Sequence, residues 1–195
     1  MMNKESTVRI FRSIPVIHTE RLILRKILVS DYKDMYEYSC SDEVTQFLAW
    51  NKHPCIEHTQ QYTEYLQSRY KIGDYYDWAI EHKQSGKMIG TCGFTRFDYA
   101  NNCAEIGYVL NRDFWGHNYC FEAVSKVIEF GFEVLKLNRI EARFIKDNYQ
   151  SMRVMEKCGM KMEGILRGAA YIKNKYCDIG VCAILKEDFE NNTKM

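Results

Sequence analysis

The segment Asn111-Arg-Asp-Phe-Trp-Gly-His-Asn-Tyr-Cys-Phe-Glu122 carries the strongest chemical signal in the chain. It joins an alternating run, Glu105-Ile-Gly-Tyr-Val-Leu110, to a long stretch with helical apolar spacing. A strand that passes through a glycine-bearing loop into a helix start presents unpaired N–H groups backed by the helix dipole, and this binds phosphate oxygens. Gly116 permits close backbone approach, and Asn118 is among the non-glycine types most tolerant of left-handed geometry. Spacing alone also fits an ordinary strand-to-helix turn. Cys120 lies at the same helix start, where a thiol ionises more easily. It reads as a nucleophile or, in preference, as a small residue facing a ligand. A second cluster, His53-Pro-Cys-Ile-Glu-His58, holds four metal-capable side chains. Its spacing matches no standard zinc pattern, so surface polarity and no metal are expected.

These residues must be positioned by one domain, since 195 residues divide poorly into two. The expected boundaries are an N-terminal tail over 1–14, a single domain over 15–190 and a C-terminal tail over 191–195. Lys plus Arg is 27 against 26 Asp plus Glu, a net charge of +1 without the basic excess of a nucleic-acid surface. No run approaches the roughly 18 apolar residues of a membrane span. The first twelve residues mix Lys4, Glu5, Arg9 and Arg12 and lack the apolar core of a signal peptide. The 8 cysteines form no C-x-x-C pair, which fits free thiols in a reducing cytoplasm.

Alternation from Arg21 predicts a first strand over 20–26, and Ser30-Asp31 opens a helix through Tyr32, Met35 and Tyr36. A second helix is expected from Glu57 to Tyr70, stopped by Gly73. Trp78-Ala-Ile80 and Lys87 to Phe94 flank the turn Gln84-Ser-Gly86, and with Ala104 to Leu110 they read as an antiparallel meander. The helix from Tyr119 to Leu135 has two apolar stripes and is expected to be central. A strand over 140–145, a short helix over 150–158 and strands over 160–166 and 178–185 complete an α+β order.

Several spaced motifs accompany these elements. They are Asn148-x-x-Ser151, Glu156-Lys-Cys-Gly-Met160, Glu163-Gly164, Trp115-Gly116 with Glu122-Ala123, Glu105-Ile-Gly-Tyr108 and the opening Thr19-Glu-Arg-Leu-Ile-Leu-Arg25. Over residues 15 to 188 the chain resembles the GNAT superfamily of acyl-CoA-dependent N-acyltransferases, in particular its RimJ/RimL branch of ribosomal-protein N-terminal acetyltransferases. The resemblance implies a mixed α/β GNAT fold, a mostly antiparallel central sheet of six to seven strands with helices on both faces. It implies acetyl-CoA as cosubstrate and a primary amine as acceptor. The family's diphosphate loop follows Q/R-x-x-G-x-G/A, whereas Asn118 and Cys120 stand at the last two small positions here.

By the same resemblance the backbone of Tyr108, Val109 and Leu110 runs along the pantetheine. Gly116, His117, Asn118, Tyr119, Cys120 and Phe121 hold the diphosphate, and Asn148 and Ser151 bind the arm. Many GNAT enzymes place a tyrosine acid where this chain has Met155, which carries no proton. The branch assigns that role to the serine, Ser151 here, and assigns the base to Glu163. Helix capping by Ser151 and a solvated strand carboxylate for Glu163 are the competing readings. Trp50 falls in the region that shapes the acceptor pocket, and Arg112, His117 and Lys126 surround the loop as cofactor partners or as ordinary surface charge. The acceptor is expected to be a protein N-terminus, with a small amine (antibiotic, polyamine or amino acid) as alternative. A CoA-binding sensor without turnover stands as the rival class. No nucleic-acid or membrane partner is expected, and a homodimer through an exposed edge strand stays open.

Overall fold

A computed structural model of the chain describes residues 3–193. In chain order its strands are β1 (Ile17–His18), β2 (Leu22–Arg25), β3 (Asp77–His82), β4 (Met88–Asp98), β5 (Cys103–Leu110), β6 (Arg139–Ile145), β7 (Lys161–Ile172) and β8 (Lys175–Leu185). The helices are α1 (Lys4–Arg12), α2 (Tyr32–Ser39), α3 (Asp42–Thr45), α4 (Ile56–Ile72), α5 (Tyr119–Glu133), α6 (Tyr149–Lys157) and α7 (Lys186–Thr193). One sheet holds the eight strands in the order β1-β2-β3-β4-β5-β6-β8-β7. The expected six to seven strands become eight because Ile17 and His18 pair with Leu24 and Ile23. Two residues are too few to leave a readable alternation.

Every pairing is antiparallel except β5 with β6. That parallel ladder runs only from Cys103↔Arg139 to Ile106↔Ala142. Gly107 to Leu110 stay paired to β4 on one edge, out to Gly90↔Leu110, while β6 has parted from the other. The parting lies level with a bulge in β4 between Phe94 and Arg96, and a bulge bends and twists its strand locally. The sheet is therefore open at the C-terminal half of β5.

The α5 helix crosses one face, burying Ala123, Val124, Val127, Ile128, Phe130 and Phe132, as its double stripe requires. Trp78 of β3 meets Phe130 edge-on at 5.3 Å, so this face carries Trp78 and its alternate neighbours. Asp77 and Ala79 point the other way, towards α2 and α4. The α4 helix ends at Gly73, whose φ of 77° makes the left-handed turn back to β3.

The N-terminal segment is not a loose tail. Asn3 caps α1 by accepting from Ser6 N at 2.9 Å, and Phe11 is fully buried among Tyr76, Trp78, Phe94, Phe97 and Phe130. The expected tail at 191–195 likewise begins inside α7, and its last two residues lie outside the described residues.

Candidate active site

The loop before α5 is fixed by a carboxylate in the helix's first turn. Glu122 accepts from Thr19 Oγ1 at 2.6 Å, Arg21 N at 2.8 Å and Arg21 Nε at 2.7 Å. Burial works against its charge, but these donors hold the carboxyl below its usual range. Arg21 also donates to His117 O at 3.0 Å, tying the loop to the start of β2. The Thr19-Glu-Arg and Glu122-Ala123 motifs are thus two halves of one clamp. Beyond it Gly116 takes φ +80° with open space where a Cβ would stand, and Asn118 takes φ 62°, the left-handed shape expected of a glycine. Asn118 gives no side-chain cap to α5, so the first-turn amides face the cleft without one. Its Oδ1 instead accepts from Lys157 Nζ at 2.9 Å. Those amides, the open approach at Gly116 and a lysine beside them fit a diphosphate.

Across the opening, Asn148 caps α6 by accepting from Ser151 N at 3.1 Å. The capping reading therefore belongs to Asn148, and the Ser151 hydroxyl is left for other work. It meets Tyr108 Oη at 3.0 Å, and Tyr108 Oη also reaches Ser151 O at 3.0 Å. One phenol hydrogen serves one acceptor at a time. When it points to Ser151 Oγ, the serine proton is free to turn into the cleft. Burial raises the Tyr108 pKa, so the phenol stays protonated. Met155, at the position of the family's tyrosine acid, is buried.

The two walls enclose a cleft of about 650 Å³ at the β5–β6 opening. Of the expected residues, Tyr108, Val109, Leu110, Gly116, Asn118, Tyr119, Cys120, Phe121, Asn148 and Ser151 line it, and Trp50 lines it too. Glu163 is not brought there. It sits on β7, the outermost strand, in a two-pronged pair with Arg139 at 2.6 and 2.7 Å. Arg139 holds its carboxyl below the usual range, the reverse of what a base needs. His117 is exposed, with Nδ1 2.8 Å from Trp115 O, and does not line the cleft. Arg112 pairs with Glu43 and Lys126 with Glu129. Cys120 lines the cleft, and burial pushes its thiol well up, which weighs against the nucleophile reading. His53 and His58 contact each other at 4.8 Å. No group of three metal-capable side chains occurs among the described residues.

Five charged cleft residues were not expected from the sequence: Asp77, Glu105, Arg143, Arg153 and Lys157. Glu105 lies between Arg96 at 3.7 Å and Arg143 at 3.5 Å. Asp77 has no cationic partner among the described residues, and burial pushes its carboxyl up to about 7.

Residues 21–161 match the Acetyltransferase (GNAT) domain. The chain belongs to the GNAT acetyltransferase family. This GNAT chain is 32% identical over 173 residues to "Uncharacterized N-acetyltransferase p20" of Bacillus licheniformis, covering 89% of this chain and 97% of that one. It is 25% identical over 167 residues to the ribosomal-protein-serine acetyltransferase of Escherichia coli, covering 85% and 93%. Among solved structures, a GNAT-family acetyltransferase from Bacillus anthracis superposes with a TM-score of 0.79 at 27% identity, covering 89% and 99%. The protein is a GNAT N-acetyltransferase with the mixed α/β fold of that family. No helix among its described residues is long and apolar enough to cross a membrane.

Proposed function

We propose that this enzyme, as a member of the RimJ/RimL type, transfers an acetyl group directly from acetyl-CoA to a primary amine. Acetyl-CoA supplies an acyl group already activated as a thioester, so the chain's tasks are to hold it, admit the amine and manage protons. The amides from Gly116 to Phe121, with Lys157, hold the diphosphate. The β6-facing edge of Tyr108 to Leu110 carries the pantetheine and offers an N–H to the acyl oxygen. Asn148 has given Oδ1 to the Ser151 amide, which leaves its amide NH₂ as donor to the arm. Ser151, recharged through Tyr108, protonates the departing sulfur. The contact that carries this reading is the 3.0 Å approach of the Ser151 and Tyr108 hydroxyls inside the open half of β5.

The first acceptor in this reading is a protein N-terminal α-amine, supported by likeness to the Escherichia coli ribosomal-protein-serine acetyltransferase. A small amine is the second, favoured by the apolar wall of Val44, Leu48 and Trp50. All eight cysteines are free thiols, which supports a cytoplasmic location. The exposed Met162, Ile165 and Leu166 on edge strand β7 support a second copy pairing there. The test is calorimetry with acetyl-CoA, followed by thiol release against peptides and small amines. Saturable binding and amine-dependent release are expected, and absence of binding at millimolar acetyl-CoA overturns the reading.

A further inference from the structure

The sheet face opposite α5 carries Asp77, a residue that none of the spaced motifs contains. Asp77 of β3, Gly93 of β4 and Gly107 of β5 are direct cross-strand partners and lie in one row on that face. The row ends at the open edge of β5, one residue past the last parallel pair with β6. Its other two positions have no side chains. A Cβ on Gly93 would collide with Asp77 Cα and Oδ1, so the absence of that atom lets the carboxylate lean over β4. One strand spacing, about 5 Å, then separates the carboxylate from the edge of β5. A Cβ on Gly107 would stand 2.7 Å from Thr95 Cγ2, so the Thr95 methyl borders the row at that end, and one strand spacing is the reach of a single nitrogen, hydrogen-bonded on one side and within attack range on the other.

The carboxylate is held from behind. Tyr70 Oη donates to Asp77 O at 2.6 Å and accepts from Ile27 N at 3.3 Å, fixing the start of β3. The Tyr75 hydroxyl favours the charged carboxylate, and Tyr38, Tyr62 and Cys92 complete the surrounding groups, each kept neutral by burial. No arginine, lysine or histidine neutralises it among the described residues. Glu105, the other carboxylate in the cleft, already faces two arginines. Val44, Leu48 and Trp50 line the same cleft and give it an apolar wall.

Resting on the N-acetyltransferase reading above, we infer that Asp77 is the catalytic carboxylate that receives the acceptor ammonium, and that the acceptor is a primary amine borne on an apolar body. The ammonium passes one proton to Asp77, which releases it to water. The freed nitrogen lone pair forms the C–N bond as the C–S bond breaks and its electron pair leaves on sulfur. The second nitrogen proton is lost as the amide forms and replaces, through Tyr108 and Ser151, the proton that Ser151 gives to sulfur. The sum is amide, CoA thiol and one proton released.

The test uses the full chain with 2-phenylethylamine, a short peptide beginning with Met, and spermidine. Asp77→Asn is expected to lower kcat/KM for the best acceptor by about 100-fold, while the calorimetric Kd for CoA stays within about twofold. In wild-type protein labelled at aspartate carboxyl carbons, the Asp77 resonance is expected to move on adding that amine to the CoA complex. This readout stands even where the variant fails to melt cooperatively. Unchanged turnover in a folded Asp77→Asn, or an unmoved Asp77 resonance, overturns the assignment. Spermidine outranking both apolar amines overturns the acceptor class. Failure of the wild type to bind CoA or release thiol with any amine counts against the acetyltransferase reading instead.

Discussion

At the scale of single residues, the site turns on which of two side chains caps α6. Asn148 does so, and the Ser151 hydroxyl is consequently spare and set against a buried phenol. Ser151→Ala is expected to lower kcat by about 10- to 1000-fold with acetyl-CoA affinity near normal, because it removes the proposed proton donor and leaves the cap intact. Glu163→Gln is the contrasting variant. Its carboxylate answers to Arg139 outside the cleft, so turnover should hold and stability should change by less than about 1 kcal/mol. Steady-state kinetics and urea melts on the pair check both. The place of Ser151 at the cleft was legible because its motif is local, three residues from Asn148 on one helical turn. Glu163 misled because motif spacing carries no strand order: β8 inserts between β6 and β7, and so moves the Glu163-Gly164 pair to the sheet's rim. Asp77 and Lys157 were silent, since each becomes a cleft residue only through a partner far along the chain, Gly93 for one and Asn118 for the other.

At the scale of elements, the sequence pattern locates the central ones and misses those held by few residues. The α5 double stripe, the β3–β4–β5 meander and the α4 stop at Gly73 all follow from periodicity and turn chemistry. The α1 helix does not, because its polar sequence buries only Thr7 and Phe11 and docks through one ring. That ring meets five aromatics, among them Trp78 and Phe130, which link the sheet to α5. Phe11→Ala should therefore cost about 3–5 kcal/mol, well beyond the fraying of a tail, and lower the urea midpoint with little change in slope. A loss under about 1 kcal/mol would mean that α1 adds nothing to the core.

At the scale of the molecule, catalysis and stability pull against each other at Asp77. Its carboxyl is raised from the ordinary 3.8 to about 7 by burial, partly relieved by the Tyr75 hydroxyl. The folded protein thus holds a proton that the unfolded chain releases at lower pH. Stability is full while both states keep the proton and declines as pH rises from near the unfolded value through about 7. The neighbouring Tyr38, Tyr62, Tyr70, Tyr75 and Cys92 are all pushed upward and stay neutral over this range, so they do not mask the effect. Asp77→Asn keeps the shape and removes the ionisation. It should melt about 2–4 °C above wild type at pH 8, with roughly a third of that gain at pH 5, a modest effect because the carboxylate is partly open to the cleft. Calorimetric melts of the two proteins across that interval check the sign. A variant that loses stability at pH 8 would mean that the charged carboxylate is satisfied within the fold, which would leave it little reason to seek an ammonium.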